Sequence, residues 1–247
     1  VPINPFAERY LYLPIVGFII MFAVCIEYLI AEKLKIRLGY VNRYMLVFFL
    51  VISTIFSFSV VKRNSIWKDN YLLWSDTVAK MPNSSRAHTN LGFAYYNRRR
   101  IDEAIGEYLT AIKLRFGDEV THLNLAVAYL EQGRYNDEIY ELKTALRLKP
   151  DYVKARNNLG VAYARQGLFD QALKELLVAV RLAPDDIYAH YNLGRIYSKQ
   201  GRYDEAIDQF NIILTLKPGD KEAYHKLKVL VEKKKGHEGE SASNVHP

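Results

Sequence analysis

The chain holds a single cysteine among 247 residues, Cys25, so no disulfide can form within it. Cys25 lies in an apolar run, where a thiol acts as a small packing group. No HExxH or CxxC spacing occurs, and the histidines at 88, 122, 190, 225, 237 and 246 form no recognised ligand pattern, so no metal site is expected. A GxSxG elbow, a Walker loop and a dinucleotide fingerprint are all missing, so no catalytic dyad can be assigned and no cofactor is expected. A strong charge of one sign is missing as well. The net charge of +7 divides into +4 over residues 1–84 (nine basic, five acidic), +1 over 85–220 (nineteen, eighteen) and +2 over the remainder (six, four). The central stretch is therefore near neutral, which argues against nucleic acid as a partner, since that needs a concentrated basic face.

What is present is a repeat. Residues 85–220 read as four 34-residue units, 85–118, 119–152, 153–186 and 187–220, with no insertion. One column holds Leu91, Leu125, Leu159 and Leu193. The next holds Gly92, Ala126, Gly160 and Gly194, and others hold Tyr95, Tyr129, Tyr163, Tyr197 and Ala111, Ala145, Ala179, Ile213. Each unit carries two apolar patterns of helical spacing. Gly133, Gly167 and Gly201 stand where the first helix stops, a place that favours left-handed backbone. Asp102, Asn136, Asp170 and Asp204 are expected to cap the second helix, and Pro150, Pro184 and Pro218 to end it. Arg99 departs from the glycine column, Phe116 from the proline column and Glu138 from a column of small residues. Period, register and residue types resemble the tetratricopeptide (TPR) repeat, which implies stacked helix pairs in a right-handed superhelix.

Upstream, residues 11–31 form an apolar run of about 20 residues, long enough to span a bilayer, with Glu27 its only charge. Residues 44–61 are a second candidate span with no charge. A pair of buried soluble helices is the alternative, which the scarcity of charge disfavours. The loop between them, 32–43, carries Lys33, Lys35, Arg37 and Arg43, so the positive-inside rule puts it in the cytoplasm and both chain ends outside, in periplasm or lumen. Lys62, Arg63 and Lys68 weaken that asymmetry. Segment 62–84 reads as a half repeat: shifted by one period, Trp74 falls in the column of Tyr108. Two readings of Trp67 and Trp74 are open, an interfacial one and packing against the first unit. After the repeats, 221–235 reads as a capping helix with Ala223, Tyr224, Leu227, Leu230 and Val231 on one face, and 236–247 as a disordered polar tail. The chain begins with Val and shows no signal peptide, so an internal fragment or an alternative start is expected.

Residues 1–10 read as an outward-facing pre-membrane segment, and the stretch Ala7-Glu8-Arg9-Tyr10-Leu11-Tyr12-Leu13-Pro14 runs from its end into the first candidate span. This stretch before two spans and a TPR array resembles the membrane edge of transmembrane TPR proteins similar to protein O-mannosyltransferases, of the GT-C class of membrane glycosyltransferases. The resemblance implies a lipid-phosphate-linked sugar as donor in the parent enzyme, and a catalytic acidic residue in an early outward loop that this chain does not contain. Arg9 is suited to bind the donor phosphate, with Glu8 orienting it. The alternative is that Arg9 snorkels to lipid headgroups or pairs with Glu8 at the surface.

Asn90, Asn124, Asn158 and Asn192 form one more column, on the first helix of each unit. An amide offers both donor and acceptor to a peptide backbone. The column resembles the asparagine ladder in the TPR superhelices of nucleocytoplasmic GlcNAc transferases. Arg86 and Lys154 lie near the start of these helices, and Arg165, Arg195 and Lys199 lie further along. The cation columns of the TPR carboxylate clamp are only partly filled. Equally open is that the asparagines bond between helices and hold the stack. The expectation is an all-α protein: two transmembrane helices, then a TPR solenoid that binds polypeptide in its concave groove. It reads as the C-terminal part of a GT-C-like glycosyltransferase. The alternative is a non-enzymatic, membrane-anchored scaffold, with a TPR-tailed polysaccharide polymerase a weaker third.

Overall fold

Helices stacked in pairs make up the second of two units into which the chain divides, Val1–Asp76 and Thr77–Pro247. The computed structural model describes residues 69–114 and 118–243, with side chains to 236, together with residues 47, 48, 51, 52, 54 and 55 upstream. Those six are helical, and the Thr54 hydroxyl donates to the Val51 carbonyl at 2.8 Å. The first candidate span, 11–31, the loop 32–43, Trp67 and the pair Glu8 and Arg9 lie outside the described residues, as does most of the second span. Among the described residues no helix is long and apolar enough to cross a membrane.

Helix α1 runs Asn70–Lys80, buries no residue fully and leaves Trp74 half-buried. The solenoid follows as α2 (Ser85–Asn97), α3 (Ile101–Leu114), α4 (Glu119–Glu131), α5 (Tyr135–Leu148), α6 (Val153–Arg165), α7 (Phe169–Leu182), α8 (Ile187–Lys199) and α9 (Tyr203–Leu216). Each first helix packs on its own second helix, and that second helix on the first helix of the next unit. Helix α10, Lys221–Ser243, closes the stack on α9 through Ala223 and Leu230. It runs past the expected end at 235 into the segment read as a tail. No proline interrupts residues 236–243, and each glycine costs a packed helix only about 1 kcal/mol against Ala.

The buried columns explain the period. Leu91, Leu125, Leu159 and Leu193 are buried, as are Tyr108, Leu142, Leu176 and Phe210, and the core clusters join Tyr108 to Leu125, Leu142 to Leu159, and Leu176 with Phe210 to Leu193. Gly133, Gly167 and Gly201 hold φ of 72°, 77° and 74°, and Arg99 takes the same left-handed turn at φ 61°. Ser84, Asp118 and Asp186 cap the first helices: their side-chain oxygens accept from Ala87, Thr121, and Tyr188 and Ala189. The expected caps of the second helices are corrected. Asp102, Asn136, Asp170 and Asp204 lie inside the helices, as second residues, and α5, α7 and α9 have no side-chain cap. An acid there still suits the helix dipole, but its other role is a joint. Gln132 Nε2 donates to Asp102, Gln166 Nε2 to Asn136 and Lys234 Nζ to Asp204, each across to the preceding unit.

A second polar column is buried at its three histidines and half-buried at Arg156. His88, His122, Arg156 and His190 each meet the residue nineteen positions on: Glu107 at 2.6 Å, Glu141 at 2.5 Å, Glu175 at 2.6 Å and Gln209 at 2.8 Å. His88, Arg156 and His190 also reach back to the carbonyls of Pro82, Pro150 and Pro184. These contacts tie the first helix to its partner and to the loop before it. The histidine column is thus structural.

Candidate peptide-binding groove

Two cavities lie along the face built by the first helices, and they share Val161 and Arg165. The larger, about 320 Å³, is lined by α6 and α8 and carries Arg165, Asn192, Arg195 and Lys199. The smaller, about 250 Å³, has Val127, Leu130, Glu131, Glu138 and Asn158 in its walls, with Tyr96 at its edge. Helical spacing produces this lining. Residues three and four apart on α6 (Asn158, Val161, Arg165) and on α8 (Asn192, Arg195, Lys199) share one face.

Arg165 is the fixed point of the groove. Its Nη1 donates to Glu138 Oε2 at 2.7 Å, and its guanidinium lies 5.2 Å from the centre of the Tyr135 ring. Glu138 is 3% exposed and occupies the column of Ala104, Ala172 and Ala206, each 0% exposed. Burial raises the Glu138 carboxyl above its ordinary pKa, while the charge and hydrogen bond of Arg165 pull it down. A charge in the tightest packing column is tolerated because the carboxylate reaches out of the core to a cation on the next unit. At the other end Glu131 accepts from the Tyr96 hydroxyl at 3.2 Å and from Arg99 at 3.4 Å. Burial, then Glu131, raises the Tyr96 hydroxyl pKa.

The asparagine column divides. The amide of Asn90 folds back to the Arg86 carbonyl at 2.9 Å, and Asn192 donates to Asn157 on the neighbouring first helix at 2.8 Å. Asn124 and Asn158 are half-buried and make no side-chain hydrogen bond among the described residues. The structure brings Asn158, Asn192, Arg165, Arg195 and Lys199 together. Lys154 is exposed and lines neither cavity, and Asn90 and Asn124 line neither. Sequence reasoning missed the apolar floor of Val127, Leu130 and Val161 and the part played by Glu138. A signal for the floor exists in the column Phe93, Val127, Val161 and Arg195, which is apolar in three units and basic in the fourth.

Residues 127–167 match the family described as TPR repeat, and residues 151–217 the family described as Tetratricopeptide repeat. The chain is 30% identical over 112 residues to the human protein O-mannosyl-transferase TMTC1 and 32% identical over 108 residues to the mouse protein. Each match covers 44% of this chain, which spans only 12% and 11% of those proteins. Among solved structures, YrrB, described as a TPR protein with an unusual peptide-binding site, superposes with a TM-score of 0.56 at 18% identity, covering 70% of this chain and 89% of YrrB. TTC0263, a thermophilic TPR protein of Thermus thermophilus, gives 0.56 at 21% identity over 69% of this chain and 94% of its own. MamA gives 0.55 at 23% identity, over 59% and 85%. These structures share the fold. The all-helical solenoid of this chain is a tetratricopeptide repeat array.

Proposed function

We propose that the solenoid binds an extended polypeptide along its first-helix face, within a membrane-anchored protein that is the C-terminal part of a GT-C-like, O-mannosyltransferase-like glycosyltransferase. The observation that carries the binding reading is the pair of cavities joined at Val161 and Arg165, with the Asn158 amide in the wall and without a partner among the described residues. A half-buried amide in that state is matched by a peptide backbone, which supplies both a donor and an acceptor. The peptide-binding site in the description of YrrB supports the same use of this fold.

Partial identity to the TMTC1 proteins supports the glycosyltransferase parent, and the apolar runs 11–31 and 44–61 support the anchor, with lipid as a second partner. In that setting the solenoid presents acceptor polypeptide from the periplasmic or lumenal side, and Arg9 with Glu8 serves the phosphate of the lipid-linked donor. The catalytic residues belong to other parts of the parent.

The binding reading is tested with Asn158→Ala in the purified full chain, against an array of unstructured peptides, with Asn124→Ala, whose amide lines neither cavity, as the control. Neither amide makes a side-chain hydrogen bond among the described residues, so thermal melting stays unchanged in both. The donor and acceptor bonds lost at Asn158 remove about 0.5–1.5 kcal/mol of binding each, so affinity falls by roughly one order of magnitude, while Asn124→Ala keeps it. Asn192→Ala, which breaks the bond to Asn157, lowers the melting temperature as well. Full peptide affinity in Asn158→Ala refutes the reading.

A further inference from the structure

The groove changes sign along its length. One column of the first helices, each on the face beside the asparagines, reads Asn97, Glu131, Arg165 and Lys199. The column one turn earlier reads Phe93, Val127, Val161 and Arg195. From the second unit to the fourth, the lining passes from apolar residues with acids to three cations. The smaller cavity carries Glu131 and Glu138 against the single cation Arg165. The larger has Arg165, Arg195 and Lys199 and no carboxylate among its lining residues.

Neutralisation is uneven too. Glu131 is held by Tyr96 and Arg99, and Arg165 by Glu138. Arg195 and Lys199 are exposed and form no ion pair among the described residues, and Lys199 lies only over the Phe169 ring at 6.0 Å. The repeats as a whole carry +1, so this is a local concentration of charge and not a general basic surface.

Building on the peptide-binding reading, we infer that the groove selects an acidic peptide segment: apolar side chains seat over Val127, Leu130 and Val161, and a following run of Asp or Glu lies at Arg165, Arg195 and Lys199. Three cations from two helices can take more than one carboxylate, which favours a run of acidic side chains over a lone chain terminus. Arg165, with one of its five donors given to Glu138, keeps others for a ligand carboxylate.

The test uses the full chain and fluorescein-labelled, C-terminally amidated peptides of one sequence. A leucine-containing half is followed by a run of Glu, Gln or Lys, and binding is read by fluorescence anisotropy. The Glu peptide should bind at least about tenfold more tightly than the Gln peptide at low salt, with the difference shrinking as salt is raised. Arg195→Glu with Lys199→Glu should abolish that preference with helicity and melting unchanged, because neither side chain has an ion-pair partner among the described residues. Equal binding of the Glu and Gln peptides, or a preference that survives the double reversal, overturns the inference and leaves the groove reading standing. A Gln peptide with a free carboxyl terminus that binds as tightly as the Glu peptide assigns the cations to a chain terminus and overturns the acidic run. Failure of all the peptides to bind overturns the groove reading and the inference with it.

Discussion

Gly92→Ala tests the rule by which the helix pairs fit together. A Cβ on Gly92 would stand 2.7 and 2.8 Å from two Tyr108 ring atoms and 3.1 Å from the Ala104 carbonyl oxygen. Ordinary carbon contacts are near 3.5–4.0 Å, so the ring must move by about 1 Å. Tyr108 is 1% exposed and has little room to do so. Overpacking of this kind costs about 1–3 kcal/mol, and Gly to Ala in a helix interior returns about 1 kcal/mol, so a net loss of up to roughly 2 kcal/mol is expected. The same two columns hold Gly194 with Phe210, Gly160 with Leu176 and Ala126 with Leu142. An aromatic ring faces glycine only, whereas leucine faces either. Tyr108→Leu alone should lose about 2 kcal/mol through the space it leaves. Combined with Gly92→Ala it should lose less than the sum, with a coupling of about 1–2 kcal/mol. Urea unfolding of the full chain, followed by far-UV circular dichroism, measures all three variants. Strict additivity, or a Gly92→Ala variant more stable than the parent, refutes the fit argument.

Two further outcomes are expected. Arg99→Gly should stabilise by roughly 0.5–1 kcal/mol, since a left-handed L-residue costs about 1–2 kcal/mol and glycine's freedom in the unfolded chain returns only part of it. The Arg99–Glu131 pair, with Arg99 80% exposed, adds little against that gain, and a lower urea midpoint would overturn the argument. For the proposed anchor, an impermeant protease should cleave a tag on the C-terminus in spheroplasts, where the periplasmic face is open, or spare it inside sealed microsomes; the opposite result in either system would place the solenoid on the cytoplasmic side and reverse the proposed topology.

The repeat was legible because one register means one environment. A column of leucine or of alanine recurs every 34 residues when each unit meets the same neighbours. The polar joints were not legible for the same reason in reverse. Asp102 and Asp204 suit a helix start whether they cap it or sit in its first turn, and only their partners Gln132 and Lys234, thirty residues on, separate the two roles. Glu138 stood out as a departure from small residues, but its partner Arg165 is 27 residues away in a different column, which no local pattern connects. Of the asparagine column, only Asn158 and Asn192 line a cavity. These two in turn divide, because Asn192 has Asn157 within reach and Asn158 has no such partner among the described residues.

That division follows from what each position meets in the neighbouring unit. A position that meets the neighbouring unit is constrained by it: Ala104, Ala172 and Ala206 stay small, and Leu91, Leu125, Leu159 and Leu193 stay leucine. Positions on the open face of the first helices meet the preceding unit through polar contacts that differ from unit to unit, so the series Asn97, Glu131, Arg165, Lys199 varies in type: Glu131 meets Tyr96 and Arg99, Arg165 meets Glu138, and Lys199 lies over the Phe169 ring. The one charged residue in the small-residue column, Glu138, is bonded to Arg165, the residue where the open series turns basic. That ion pair ties the small-residue column to the open face and holds Arg165 in place there.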